Sequence, residues 1–106
     1  MDINDLRWHD GNILKFELTP NYGEDAEIWI HAELYDDSER TPGRDEFLIK
    51  CCGVSRFNAV CDLIELNENS EAGSINHGLL KGNILRINLF DGFVEIQAKN
   101  FYVSKR

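Results

Sequence analysis

Two runs of alternating apolar and polar residues, joined by Asp91-Gly92, constrain the fold more than any other feature of this sequence. An Asp-Gly pair between such runs indicates a β-hairpin, because a type I′ turn needs positive φ at both central residues and these residue types tolerate it. The predicted register puts the apolar pairs on one face of the hairpin. These pairs are Phe90 with Phe93, Leu89 with Val94, Ile87 with Ile96, and Leu85 with Ala98; the other face carries Asn88 opposite Glu95 and Arg86 opposite Gln97.

The same alternation recurs through the rest of the chain and predicts further short strands. Gly82-Asn83 is expected to form a tight turn, and Gly53-Val54 is expected to end the third strand. In the first strand, Leu14, Phe16 and Leu18 fall on one face. The predicted strands are Ile13 to Leu18, Glu27 to Tyr35, Glu46 to Cys52, Ser74 to Leu80 and the two strands of the hairpin.

Two stretches interrupt this regularity. In the last strand the apolar positions change phase after Ala98, which predicts a bulge near Lys99 and Asn100. Residues 55–66 fit either a short helix, with Ser55 as its cap, or a β segment. We expect a short helical or irregular turn there, followed by a strand.

These elements predict one domain over residues 1–106 with an all-β, mainly antiparallel fold. About seven short strands at regular spacing, with at most one short helix, indicate a small β-sandwich or a partly open barrel. A chain of 106 residues that is 42% hydrophobic and 28% charged suffices for such a core.

Composition also bears on the compartment. No apolar run approaches the roughly 20 residues that a membrane span requires, and the first residues lack the pattern of a signal peptide. The cysteines Cys51, Cys52 and Cys61 are odd in number, and the two adjacent ones point to opposite sides of a strand. We therefore expect free thiols and a cytoplasmic protein.

The net charge of −8 is concentrated in the first half of the chain. Residues 1–47 carry 13 acidic and 4 basic side chains, a balance of −9, whereas residues 48–106 have a balance of +1. Such a field disfavours nucleic acids and anionic membranes and favours a basic partner, although an acidic surface often serves only solubility.

No pattern in the sequence predicts catalysis, a metal or a cofactor. His9 and Asp10 are adjacent and have no nucleophile nearby, so a structural role for them and for Trp8 is favoured. The histidines and cysteines lack metal-ligand spacing, and no phosphate-binding glycine motif occurs. The sequence therefore predicts a protein that is not an enzyme and carries no cofactor.

The most distinctive candidate surface lies on the second predicted strand. Trp29, His31 and Tyr35 alternate there with Glu27 and Glu33 on the face opposite the apolar one. Aromatic side chains among charges of one sign are typical of a protein-binding patch, unless a second sheet covers the face and Trp29 is part of the core. The candidate binding residues are Trp29, His31, Tyr35, Asp36, Asp37 and Glu39.

Three motifs occur in an order that resembles a group of small bacterial β proteins of unknown biochemical activity. They are the Trp8-His9-Asp10 opening, Gly53-Val54 in the middle strand, and the closing hairpin from Ile84 through Gly92 to Val103. Some members of the group look like immunity proteins of polymorphic toxin systems, which neutralise a toxin by binding it. The resemblance implies a binding function and supplies no catalytic residues.

Two functional hypotheses follow. The first is a non-enzymatic, immunity-type inhibitor that covers a basic partner, such as a toxin, with its acidic and aromatic surface. The alternative is a small-ligand-binding or accessory-enzyme β domain, with a concave site near His9, Asp10 and His77. The oligomeric state is open at this point.

Overall fold

The computed structural model of the chain describes residues 2–20, 25–35, 43–61 and 74–106. These residues form one antiparallel sheet of six strands, preceded by a turn of 3-10 helix at Ile3–Asp5. The strands are β1 (Arg7–Thr19), β2 (Ala26–Tyr35), β3 (Arg44–Val60), β4 (Ile75–Lys81), β5 (Ile84–Leu89) and β6 (Gly92–Lys105). Their order across the sheet is β1-β2-β3-β6-β5-β4.

The sheet curls until its two outermost strands meet. Asn12 of β1 forms an isolated antiparallel bridge with Ser74, just before β4. One curled sheet therefore encloses the core, which confirms the predicted all-β antiparallel fold in its partly open barrel form, with six strands in the described residues rather than about seven. No helical segment of the described residues has the length and the apolar character that a membrane crossing requires.

Side chains on the inner face of the curled sheet form a single core cluster. β2 contributes every apolar residue that the alternation predicts on that face, and all of them are buried: Ile28, Ile30, Ala32 and Leu34. β3 adds Phe47 and Ile49, which are fully buried. The alternation of β-strand side chains thus leaves a complete second face of the sheet pointing outward.

The last hairpin is confirmed, but its register differs from the prediction. Leu89 pairs with Gly92, so the two turn residues are Phe90 and Asp91 rather than Asp91 and Gly92. Each cross-strand partner therefore lies two residues from its predicted position. A shift of two keeps every strand side chain on its face, and the predicted inner face is right except for its first pair. Phe90 lies in the turn and is exposed, and Phe93 lies under Arg86 on the outer face. The buried residues of the inner face are Leu85, Ile87, Leu89, Val94, Ile96 and Ala98.

Gly92 has a different role from the predicted one. No residue of this turn has positive φ, which excludes a type I′ turn. A Cβ atom at Gly92 would overlap the carbonyl oxygen of Val60 at the end of β3. The glycine thus permits a close approach of two strands. The turn that does use positive φ is the other predicted one, where Gly82 has φ 62° before Asn83.

β3 is longer than the sequence predicts. Instead of ending at Gly53-Val54, the strand continues to Val60, so a helical turn beginning at Ser55 is wrong. Gly53 has φ 70°, and a register shift against β6 follows between Val54 and Arg56. A glycine in this conformation beside a bulge bends a strand without breaking it. Residues 62–66 of the ambiguous stretch lie outside the described residues.

The phase change predicted in the last strand is present, but no register shift against β3 accompanies it. Ala98 and Phe101 both pack against the core. Pairing with β3 stays in step past Lys99 and Asn100, and the register shift falls after Val54 of β3. A bulge of β6 against β3 at Lys99 and Asn100 is therefore wrong. The two strands change phase together there, since Cys51 and Val54 of β3 also both pack with the core.

β1 contains a bulge that the sequence pattern did not reveal. Its register against β2 shifts between Ile13 and Lys15. The shift turns Ile13 and Phe16 toward the core and Leu14 outward. Leu18 keeps the face of Phe16, opposite Ile28, and is exposed near the end of the strand. The predicted common face is therefore right for Phe16 and Leu18 and wrong for Leu14.

Side chains close the seam between β1 and β4. Trp8 is buried there, and its Nε1 donates a hydrogen bond of 3.1 Å to the carbonyl oxygen of Ile3. A Cβ atom at Gly78 of β4 would overlap the Trp8 indole, so the ring lies directly on that backbone. The Asn4 amide both donates to and accepts from the Leu80 backbone, at 2.9 Å each, and so replaces a neighbouring strand at this edge.

Candidate functional site

The outer surface of β1, β2 and β3 carries the candidate residues of the second predicted strand. We call this surface the β2 face. Register places its side chains in rows across the three strands. Its residues are Lys15, Glu17, Glu27, Trp29, His31, Glu33, Tyr35, Glu46, Leu48 and Lys50. The described residues form one sheet, so no second described sheet lies over this face.

Trp29 is half-buried on the β2 face and is not part of the core. Lys50 of β3 is its cross-strand partner, and the Lys50 ammonium lies 4.5 Å from the indole centroid. The indole Nε1 donates a 3.0 Å hydrogen bond to Glu27, two residues along β2. One ring face and the N–H are thus both held, which orders the side chain while leaving it at the surface.

His31 is the most buried candidate, with only 6% of its surface exposed. Its Nε2 donates to Glu17 of β1 at 3.0 Å, and its Nδ1 lies 3.9 Å from Glu46 of β3. Leu48, directly across the β2–β3 pairing, is also 6% exposed although it points outward. Longer neighbouring side chains therefore bury two residues that strand alternation alone would expose.

Tyr35 lies at the end of β2, between two guanidinium groups. Arg7 stands 4.9 Å and Arg44 stands 5.6 Å from its ring centroid. Both arginines are cross-strand partners of Tyr35, one on each side. Basic side chains thus accompany both aromatic residues of the β2 face, and the sequence interpretation missed them. Once the register is known, their pairing positions reveal them.

The carboxylates of the β2 face are mostly engaged within it. Hydrogen bonding by Lys15, at 3.0 Å, lowers the pKa of Glu17, and His31 acts in the same direction. Glu46 has Arg106 at 3.5 Å. Glu33 stands directly opposite Glu46 in the β2–β3 pairing, an arrangement in which two like charges repel. Three further candidates, Asp36, Asp37 and Glu39, lie outside the described residues.

The alternative site does not form one cavity in the described part of the chain. Asp10 lines a cavity of about 520 Å³ at the seam, whereas His77 lines a separate one of about 350 Å³ on the outer face of β4 and β5. His9 is exposed and donates from Nδ1 to the carbonyl oxygen of Asn76 at 3.0 Å. Together with buried Trp8, this contact gives the Trp8-His9-Asp10 opening a role in seam closure.

The thiols follow the predicted alternation. Cys51 is fully buried in the core, and that burial raises its pKa to about 12. Cys52 points outward, and its pKa is also raised, by partial burial and by the neighbouring Glu27 carboxylate. A thiol with a raised pKa is a weak nucleophile near neutral pH. Within the described ranges, no three His, Cys, Asp or Glu side chains are arranged to hold a metal ion.

Known proteins add no information about this site. No protein-family model, no curated protein and no solved structure matches the chain. What the β2 face does must therefore be argued from its own chemistry: ordered aromatic rings, engaged cations and a pair of opposed carboxylates.

Proposed function

We propose that this chain is a non-enzymatic protein-binding domain of the immunity-inhibitor kind, which docks a basic partner on the β2 face. The observation that carries the proposal is an outward face, uncovered by any other described strand, on which Trp29 and Tyr35 are held in place by neighbouring cations. Binding sites depend on a few aromatic anchors, and ordering them before binding lowers the entropy cost of association.

Apolar area next to the anchors supports this role. Tyr102 of β6 continues the row of Trp29 and Lys50 and is 56% exposed. Leu14, displaced outward by the β1 bulge, lies beside His31 at a shallow cavity. An aromatic centre with scattered apolar neighbours and a charged rim is the usual anatomy of a protein interface.

The charge of the partner follows from the carboxylates. Glu33 has no ion-pair partner among the described residues and faces Glu46 across the strands. A lysine or arginine brought to this position would relieve the repulsion between them. The acidic balance of residues 1–47 would also attract a basic partner at long range, with a dependence on salt.

The test is affinity capture from lysate of the host, with elution along a salt gradient. Wild-type chain should retain one basic protein, and Trp29→Ala should weaken its binding at least tenfold, the loss expected for an aromatic anchor. Glu33→Lys should slow association while leaving the fold intact. Ile84→Ser, on the outer face of β5, is the matched control and should bind normally. Normal binding by both Trp29→Ala and Glu33→Lys would overturn the proposal.

The inhibitor role has its own readout. The captured protein should impair growth when produced alone and become harmless when produced with wild-type chain. Protection by Trp29→Ala should fall in proportion to its loss of binding. A captured protein without toxicity would leave the docking surface standing and remove the immunity interpretation.

A further inference from the structure

The outer face of the β4–β5 hairpin carries a groove that the β2 face does not use. We call it the β4–β5 groove; its volume is about 350 Å³. Hairpin register gathers its lining from positions that are separated in sequence: Leu79 pairs with Arg86, Lys81 with Ile84, and His77 with Asn88. The lining residues are His77, Leu79, Lys81, Ile84, Arg86, Asn88 and Glu95.

The walls of the groove are aliphatic. Leu79 and Ile84 both point away from the core, and they are 44% and 38% exposed. Leu80 and Leu85 already supply the inner face of the same two strands. The outward leucine and isoleucine therefore contribute little to the core, and they form a pair of apolar surfaces at one place.

Two cations, Arg86 and Lys81, are also among the residues that line the groove. Arg86 donates from Nε to Asn88 at 3.1 Å and from Nη1 to Glu95 at 3.0 Å, and it stacks on Phe93 at 4.2 Å. These contacts fix the guanidinium plane yet use only part of its five N–H donors. Lys81 adds a second cation. Glu95 is the one carboxylate among the lining residues, and Arg86 engages it.

We propose that the β4–β5 groove binds a small aliphatic carboxylate, with its alkyl chain against Leu79 and Ile84 and its carboxylate at Lys81 and Arg86. Aliphatic walls beside fixed cations complement an apolar chain that carries one negative charge. The size favours a small molecule over a protein, because seven lining side chains are far fewer than the roughly 20 residues a side of a stable protein interface. A volume of about 350 Å³ lies in the usual range of small-ligand pockets.

The experiment is a titration of isotope-labelled protein with octanoate, below its micelle-forming concentration, followed by amide chemical shifts. Shifts should concentrate at residues 77–86 and at Glu95. Octylamine, which has the same chain and the opposite charge, should bind at least fivefold more weakly. Octanol, which lacks the charge, should fall between the two.

Variants separate the two halves of the groove. Lys81→Glu should weaken octanoate binding by about threefold to fivefold, the range of an exposed ion pair, and Ile84→Ser by about threefold to tenfold through lost apolar contact. The matched controls are Lys99→Glu and Leu18→Ser, an exposed cation and an exposed leucine elsewhere, and both should bind as wild type does.

Four results would overturn the proposal. They are shifts outside the groove, equal binding of octylamine, wild-type affinity in both groove variants, and tighter binding of the tripeptide Glu-Leu-Glu than of octanoate, which would assign the groove to a protein partner. No residue of the β2 face lines the groove, so Trp29→Ala should leave octanoate binding unchanged.

Discussion

The β2 face and the β4–β5 groove belong to the outer surface of the same sheet, yet they are built in opposite ways. On the β2 face, carboxylates, cations and aromatic rings engage one another across three strands, and His31 and Leu48 are buried beneath them. In the groove, Leu79 and Ile84 stay exposed beside two cations, Lys81 and Arg86. The β2 face engages most of its own polar groups, apart from Glu33 opposite Glu46, and the groove leaves an apolar and cationic surface open.

The difference shows that an outward position on a strand does not decide whether a side chain is exposed. Leu48 and Leu79 both point away from the core, but Leu48 has His31 beside it on a sheet with strands on both sides. Leu79 belongs to β4, an outermost strand of the sheet. At Leu48, long neighbours on the flanking strands cover the side chain, whereas Leu79 has a neighbouring strand on one side only and stays exposed.

The sharpest test of this contrast is truncation of the two leucines. Leu48→Ala should lower the free energy of unfolding by about 2–4 kcal/mol, because the side chain is removed from a closely packed position. Leu79→Ala should change it by about 0.5 kcal/mol or less. Urea denaturation of both variants gives the comparison, and equal losses would break the distinction between the two faces.

Truncation of His31 and His77 should give a smaller difference in the free energy of unfolding, again with the larger loss on the β2 face. His31→Ala should cost about 1–3 kcal/mol, because it removes a buried donor to Glu17 and leaves Glu17 and Glu46 without the ring between them. His77→Ala, at an exposed position of the groove, should be close to neutral. Thermal unfolding at constant pH measures both changes in stability. A large loss of stability in His77→Ala would mean that the side chains of the groove stabilise the fold as those of the β2 face do.

Acid should weaken the β2 face through Glu17. Its pKa lies below the ordinary value of 4.5, chiefly because Lys15 donates to it, so this interaction stabilises the fold above pH 4.5 and is lost as pH falls through the lowered pKa. Lys15→Met should move the Glu17 pKa back toward the ordinary value and make stability less sensitive to acid. Carboxyl NMR shifts report that pKa directly. Lys99→Met, at a distant exposed cation, should leave the Glu17 titration unchanged.

Sequence alternation predicted the faces of the sheet better than its register. Ile87 and Ile96 are not cross-strand partners, because the register differs from the prediction by two residues. Both are still on the predicted inner face, because a shift of two residues preserves every face. The Asp91-Gly92 pair was misleading for a physical reason. Gly92 is required where the backbone of Val60 approaches, and that contact is not visible in local sequence.

Side-chain environments were less predictable than the strands, since they depend on pairing. The role of Lys50 beside Trp29 and that of Arg44 beside Tyr35 follow only from the β2–β3 register. The groove was missed for the same reason, because Lys81 and Arg86 join its aliphatic walls only when the hairpin forms. Leu79 and Ile84, two apolar residues on the polar face, were the available signals for it.

The most direct test of docking on the β2 face is an amide chemical-shift map of the labelled chain with the basic partner that affinity capture isolates. Shifts should cluster on the β2 face, at Trp29, Glu33, Tyr35 and Lys50, while the amide signals of residues 77–86 stay at their positions in the free protein. Shifts centred on the β4–β5 groove or on the Asp10 cavity, with the β2 face unperturbed, would contradict it.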